Sequence, residues 1–371
     1  MELIYLTAKH FPATTADHVY IRFLAQAFSR LLGKDFTLVI AGEIPDELGC
    51  MRVRSVRTPR FLRTLFYFFW LPSFIHSRLK GGVKPFFFCN DFNLLAILAF
   101  WKPFFRDRYG ICSDWHLMTE SWKDQYVARA SDRLVTTSAR LKACIVERTG
   151  TPVERVSVVY GGIDPEPYRE PFSKTREELQ LPEGYLVGYV GLFRTMGKEK
   201  GLKTMIDALA MLPSDVHMAF VGGSPAEIDE YRAYARAHDV SDRCVFIEKQ
   251  PFEGVVTYER SMDALVIPYP DEPHFRNYGF PMKVYEYLAA GRSIIYSNLA
   301  ILDEVLGEKG ASFTAGEAAD LARAVLLLKE GDAASASPSE YRDLYSWDRK
   351  AAEIVGAISE EPSPRAGGIL S

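Results

Sequence analysis

Between Leu48 and Asn90 the chain carries no Asp and no Glu, while Arg52, Arg54, Arg57, Arg60, Arg63, Arg78, Lys80 and Lys84 supply positive charge. This imbalance is local. Over the whole chain 44 Lys and Arg stand against 48 Asp and Glu, and a formal net charge of −4 excludes an obvious nucleic-acid binder. Cysteine is scarce. Cys50, Cys89, Cys112, Cys144 and Cys244 are odd in number and free of CxxC spacing, which excludes a disulfide framework or zinc site and suits reduced thiols in a cytoplasm. No uninterrupted apolar run reaches the roughly 18 residues needed to span a bilayer, and MELIYLTAKHFP reads as a first strand instead of a signal peptide. No GxGxxG follows that strand, which sets aside a dinucleotide-dependent dehydrogenase. The acidic run DEPH at Asp271 to His274 lies in a Pro-bounded loop and is a poor metal motif, so no metal is expected.

What is present is an alternation of strand-like and helix-like segments. Strands are predicted at Leu3–Leu6, Phe36–Ile40, Pro85–Cys89, Arg108–Cys112, Leu134–Thr136 and Val156–Val159, with helices between them, which means parallel βα units. A turn and Pro-rich stretch, Gly161 to Lys174, then marks a domain boundary. The alternation resumes with strands near Leu186–Val190, Met218–Val221, Cys244–Ile247, Ala264–Ile267 and Ser293–Tyr296, and closes with helices over Ala318–Lys329 and Ser339–Ala357. With 371 residues, 48% of them hydrophobic, the chain can bury two ordinary cores. The expectation is an α/β protein of two domains.

Two segments carry chemistry. Leu186 to Asp207, LVGYVGLFRTMGKEKGLKTMID, runs from a strand through a glycine-rich basic loop into a helix beginning near Gly201, and sets Arg194 and Lys200 six residues apart. Backbone N–H groups and a helix N-terminus beside two cations suit a diphosphate, although Arg and Lys near a helix start are commonly just solvated. Phe280 to Ser297, FPMKVYEYLAAGRSIIYS, is a helix bearing Lys283 and Glu286 that stops at Gly291 and leads into a strand. A carboxylate there can accept hydrogen bonds from ribose hydroxyls. Together the segments describe a nucleotide diphosphate.

The order GLFRTMGKEKG, FVGG, PMKVYEYLAAGRSIIYS and YSWDRKAAEIV resembles the retaining GT-B glycosyltransferases of family four, strongly from about Val156 to Ile358 and loosely before that. The resemblance implies two doubly wound Rossmann-like domains facing across a cleft: 1–163 on the acceptor side, 164–345 binding the nucleotide sugar, a helix at 346–358 returning to the first domain, and a flexible tail at 359–371. It puts the donor diphosphate on Arg194 and Lys200 and the ribose on Glu286. Gly191, Gly279, Phe280, Pro281, Met282 and Lys283 complete the donor side, the helix-start backbone contacting phosphate. His116, just after a strand of the first domain, is the first choice against the donor sugar and Asp114 the second. The donor is a substrate, and no cofactor is expected.

The sequence departs from the family pattern twice. Many members carry Glu eight residues before the ribose-binding Glu, where Tyr278 stands here. A glycine pair after the first strand is missing from FPATTADH, leaving Thr14, Thr15 and Asp17 to line the cleft. A non-catalytic nucleotide-sugar-binding scaffold, or a nucleotide-sugar epimerase, therefore stays as an alternative. Finally, FLRTLFYFFWLPSFI at Phe61 to Ile75 gathers aromatic residues around Pro72 inside the acid-free stretch. Base beside Phe, Tyr and Trp is the composition of a surface that lies on anionic lipid, and it favours a lipid-linked or glycan acceptor handled at the cytoplasmic membrane surface.

Overall fold

Apolar runs too short for buried helices but rich in Val, Ile, Phe and Tyr form strands, and each is returned parallel to a neighbour through a helical crossover. The computed structural model describes residues 1–11, 16–56, 62–172, 174–195, 197–278, 281–331 and 338–360. Thr15, Gly279, Phe280 and the tail from 361 onward lie outside the described residues, as do Thr14, Arg57 and Arg60. The chain divides into two units, Met1–Gly162 with everything from Ser346 onward, and Ile163–Tyr345.

The first unit runs β1 (Glu2–Phe11), α1 (Ala16–Leu32), β2 (Phe36–Gly42), β3 (Val53–Val56), α2 (Arg63–Leu79), β4 (Pro85–Cys89) and α3 (Phe92–Trp101), followed by β5 (Gly110–Trp115), α4 (Trp122–Ala130), β6 (Arg133–Thr136), α5 (Ala139–Thr149) and β7 (Val156–Val158). The seven strands lie in the order β3-β2-β1-β4-β5-β6-β7 and are all parallel, with Ile4 opposite Phe87 and Asp114 opposite Val135. Tyr5 anchors one side of the sheet, edge-on to Phe28 and Phe88 at 6.3 and 4.9 Å. All three rings are fully buried, each contributing about 1.5–3 kcal/mol.

The second unit runs α6 (Glu166–Arg169), β8 (Tyr185–Val190), a two-stranded antiparallel ribbon of β9 (Arg194–Thr195) and β10 (Lys198–Glu199), α7 (Leu202–Leu209), β11 (Val216–Gly223), α8 (Pro225–Ala237) and β12 (Cys244–Glu248). It continues through α9 (Phe252–Ser261), β13 (Ala264–Ile267), α10 (Pro273–Asn277), α11 (Lys283–Ala290), β14 (Ser293–Ser297), α12 (Ala300–Leu306), β15 (Ala311–Phe313), α13 (Ala318–Glu330) and α14 (Pro338–Leu344). Its parallel sheet has the order β12-β11-β8-β13-β14-β15.

The last helix, α15 (Trp347–Ser359), belongs to the first unit. It buries Trp347, Lys350, Ala351, Ile354 and Ile358, one helical stripe, and Trp347 packs on Tyr20 and Phe23 of α1. The single helix predicted over 339–357 is in fact two. α14 stops at Leu344, with the Tyr345 amide donating to the Tyr341 carbonyl, and Ser346 caps α15 by accepting from the Arg349 amide at 3.2 Å. The sequence reading also misses β3 and β15. Edge strands of four and three residues carry no apolar run long enough to register. Strand β5 lies later than predicted, so Asp114 is inside it and His116 is the first residue beyond.

Candidate functional site

In strand order along the chain the second sheet reads 3-2-1-4-5-6, with β8 and β13 at the point where the connections diverge to opposite sides. Ligands of such sheets sit beyond the carboxyl ends of the strands at that point. There the chain leaves β8 at Gly191 and β13 at Ile267.

Lys283, the first residue of α11, reaches under this spot. It is 7% exposed, and its Nζ donates to the Val190 carbonyl at 2.9 Å and stands 4.9 Å above the Tyr189 ring. Gly191 makes room for it. A Cβ there would meet Lys283 Nζ at 2.3 Å, and φ of +141° already disfavours any side chain. Gly222, at φ +122°, closes the other side, since its own Cβ would lie 2.4 Å from the Gly191 carbonyl oxygen. Lys200 is equally buried at 7%, with Nζ 5.9 Å over the Tyr269 ring.

Two ammonium groups so placed are costly. Burial, then Lys283, lowers the Lys200 pKa from an ordinary 10.5 to about 7, against weaker support from Glu227 and Glu286. Lys283 is lowered by burial too, offset in part by Glu286 and Glu259. The partly buried Glu286 is pushed up by burial, while Lys283 and Lys200 pull it back. The structure therefore gathers Lys200, Lys283 and Glu286 into one electrostatic cluster beside Gly191.

Arg194 is placed differently. Its Nη2 donates to both carboxylate oxygens of Glu230 on α8 at 2.8 Å, and Lys203 lies 3.5 Å from the same carboxylate. The start of α7 is also occupied. Glu199 accepts from the Gly201 and Leu202 amides at 2.7 and 2.6 Å and from the Tyr231 hydroxyl at 3.1 Å. The sequence reading offered these amides to a diphosphate; a carboxylate two residues upstream reaches them first, because uncapped N–H groups attract whichever anion is local.

In the first unit, Asp114 is 2% exposed and accepts at Oδ2 from His116 Nε2–H and from the Tyr20 hydroxyl, both at 2.9 Å. Because an ionised carboxylate only accepts, these bonds leave His116 Nδ1 as the nitrogen turned away from Asp114. Burial would raise the Asp114 pKa, but His116, Lys350 and Tyr20 outweigh it and hold it below the ordinary value. Lys350, on α15, donates to the Val159 carbonyl at 2.9 Å, and burial brings it to about 8 despite Asp114 and Glu353. The returning helix thus supplies part of the charge that keeps Asp114 ionised.

Of the other expected residues, Asp17 sits on α1 paired with Lys9, and Pro281 and Met282 lead into α11, where the Met282 carbonyl accepts from the Tyr285 and Glu286 amides. Tyr278 is 8% exposed, and its amide donates to the His274 carbonyl at 3.0 Å. Sequence reasoning missed Glu230, Glu199, Tyr269 and Glu259. Glu259 is fully buried, accepts from the Tyr168 hydroxyl at 2.8 Å, and is pushed well up by burial and by Glu286. A signal for it existed, since it follows the buried Val256 by three positions on the same face of α9. Among the described residues no group of three or more His, Cys, Asp or Glu side chains is placed to hold a metal ion.

Residues 184–330 match the family model described as glycosyl transferases group 1. The matched stretch lies within the second unit and is similar to the group 1 glycosyltransferases. The chain is similar to a D-inositol 3-phosphate glycosyltransferase of Xylanimonas cellulosilytica, 24% identical over 262 residues covering 65% of this chain and 60% of that protein. It is also similar to a glycogen synthase of Mycobacterium tuberculosis, 29% identical over 223 residues covering 58% and 49%. The match thus spans about half to three fifths of these relatives' length. Beyond the matched stretch, the fold is similar to the crystal structure of Anabaena Alr3699/HepE in complex with UDP, with a TM-score of 0.75 at 16% identity, covering 97% of this chain and 100% of that one. The two parallel sheets with their helices are the GT-B fold. Lys200, Lys283, Glu286 and Arg194 all fall inside the matched stretch.

Proposed function

We propose that this chain moves a sugar from a nucleotide diphosphate sugar to a lipid-linked or polysaccharide acceptor with retention of anomeric configuration, in the synthesis of cell-surface glycan or glycolipid. The observation that carries this reading is the pair of buried ammonium groups, Lys200 and Lys283, gathered with Glu286 beyond β8 and β13. Desolvated like charges side by side are unfavourable alone and become favourable once a diphosphate lies between them. The reported complexes of HepE with UDP and with UDP-glucose support a nucleotide sugar as the donor class.

The chemistry follows from charge. Breaking the bond between the anomeric carbon and the phosphate oxygen leaves negative charge on the diphosphate and positive charge on the sugar, so fixed cations at the leaving group act most strongly in the transition state. Lys200 and Lys283 serve there, and Arg194 joins by exchanging Glu230 for phosphate. The acceptor hydroxyl attacks from the face the phosphate leaves, and its proton passes to the departing phosphate oxygen. Glu286 holds the ribose hydroxyls, and His116, oriented by Asp114, contacts the donor sugar. The acid-free aromatic helix α2 suits work at an anionic membrane surface on the cytoplasmic side; among the described residues no helix is long and apolar enough to cross a membrane.

A thermal-shift panel of UDP, GDP and their sugars tests the donor site, since a ligand at 100 times its Kd stabilises by about 2.7 kcal/mol. Transfer of radiolabelled sugar to a lipid or glycan extract tests the reaction. No shift with any nucleotide sugar overturns the reading. Saturable donor binding without transfer returns it to a scaffold, and turnover of donor without acceptor to an epimerase.

A further inference from the structure

The face of the first unit made by α2, α3 and α4 leaves large apolar side chains in solvent. Phe69 on α2 and Phe104, in the turn after α3 where it packs on Phe100, are 69% exposed and Trp122 67%, with Leu65 also exposed. Patches of this kind on one face mark a binding surface. Between the three helices lies a cavity of about 380 Å³, walled by Phe68, Ile97, Phe100, Trp122 and Tyr126, which is within the range of sites that hold small ligands.

The charge on its lining has one sign. Lys123 is the charged side chain of the lining, and its Nζ donates to Asn93 Oδ1 at 2.7 Å, which leaves two of its three N–H groups to serve an anion. Neither α2 nor α3 contains an Asp or Glu. The acids that flank them are engaged: Asp91 caps α3 through the Asn93 and Leu94 amides, Asp124 is buried under the Thr119 and Glu120 amides, and Glu120 meets Arg148 at 3.3 Å. A peptide in the cavity would bring more backbone N–H and C=O groups than Thr64, Asn93, Lys123 and Tyr126, the polar members of a mostly apolar lining, can satisfy. A hydrocarbon chain brings none.

We propose that this groove takes one acyl chain of an anionic bilayer phospholipid, with Lys123 on the headgroup phosphate and Phe69 and Phe104 inserted in the interface around it. The inference rests on the membrane clause of the proposed function and is independent of the transferase reaction. It places the contact on specific residues: the groove selects a single lipid, and the ridge outside it holds the bilayer.

Two measurements on the full chain separate these parts. Calorimetric titration with a short-chain phosphatidylglycerol below its micelle concentration reads the groove, with short-chain phosphatidylcholine as the neutral arm. Co-sedimentation with phosphatidylglycerol-containing and pure phosphatidylcholine vesicles reads the surface. Trp122→Ala should weaken monomeric lipid about tenfold or more, whereas Phe69→Ser with Phe104→Ser should leave monomer binding within about twofold and lower vesicle binding by about tenfold. All three replace side chains that are mostly in solvent, so an unchanged Tm is expected for each. Absence of monomer binding, equal affinity for phosphatidylcholine, or indifference to Trp122→Ala overturns the groove. If vesicle binding persists in that event, the membrane reading stands without it; if vesicles fail as well, both fall.

Discussion

Lys200 makes donor binding depend on pH in a way that can be worked out. Burial and Lys283 hold its pKa at about 7 in the free protein, so at pH 6 about nine-tenths of the molecules carry the charge and at pH 8 about one-tenth. Both phosphates of a nucleotide sugar are diesters and stay ionised over this range. A bound diphosphate restores Lys200 towards its ordinary 10.5, so binding takes up roughly 0.1 proton at pH 6 and roughly 0.9 at pH 8, and apparent affinity falls about tenfold, ~1.4 kcal/mol, between them. Calorimetric titration of UDP-glucose in buffers of different ionisation enthalpy measures the uptake directly. Lys200→Arg is the control, because guanidinium does not titrate here: binding should persist and the uptake at pH 8 should vanish. Zero uptake at pH 8 in the parent chain, or the same uptake in Lys200→Arg, refutes the reasoning. The same shift governs folding. The unfolded chain binds the extra proton between pH 7 and 10.5, so the ligand-free protein should gain stability as pH rises through that window, by at most about 5 kcal/mol, and carry the full cost of the buried charge below it.

Other perturbations have defined outcomes. Arg194→Ala should lower kcat/KM by about 100-fold, ~3 kcal/mol, in a transfer assay, while Glu230→Gln should free Arg194 and tighten donor binding with stability changed by less than about 1 kcal/mol, since the pair is partly exposed. Gly191→Ala should cost about 2 kcal/mol or more in urea unfolding, because its Cβ strikes Lys283 Nζ, and should abolish donor binding. Asp114→Asn leaves Lys350 without its buried counter-charge and should cost about 3 kcal/mol. The Asp114 carboxyl is held below its unfolded value, so its stabilisation is present above that value and lost as pH falls through the folded one. The acid limb of a Tm–pH profile should therefore flatten in the variant.

The alternation of short apolar runs with helical segments was legible because parallel strands covered on both faces need continuous Val, Ile, Leu and Phe, as in Phe36–Gly42 and Ala264–Ile267. The third and last strands of the two sheets were not legible, since an edge strand such as Val53–Val56 is paired on one side and carries no such run. The break between α14 and α15 escaped the reading of periodicity for another reason, although the family resemblance implied a separate helix at 346–358. Ser346 becomes a cap only when the chain turns from one unit to the other at Tyr345, and helical periodicity on both sides hides the turn.

The α/β class and the run of parallel βα units could be read from the order of residues along the chain. Spacing along strands and helices dictates local structure, and Arg194, Lys200, Lys283 and Glu286 stand near element ends that any such fold brings to one edge of a sheet. Their partners come from the three-dimensional packing. Lys200 lies in the field of Lys283 at the ends of β8 and β13, while Arg194 and the α7 amides go to Glu230 and Glu199. Charge and hydrogen bonding act over a few ångströms between residues as much as 83 positions apart in sequence, and no pattern along the chain encodes which of several nearby carboxylates a cation will reach first.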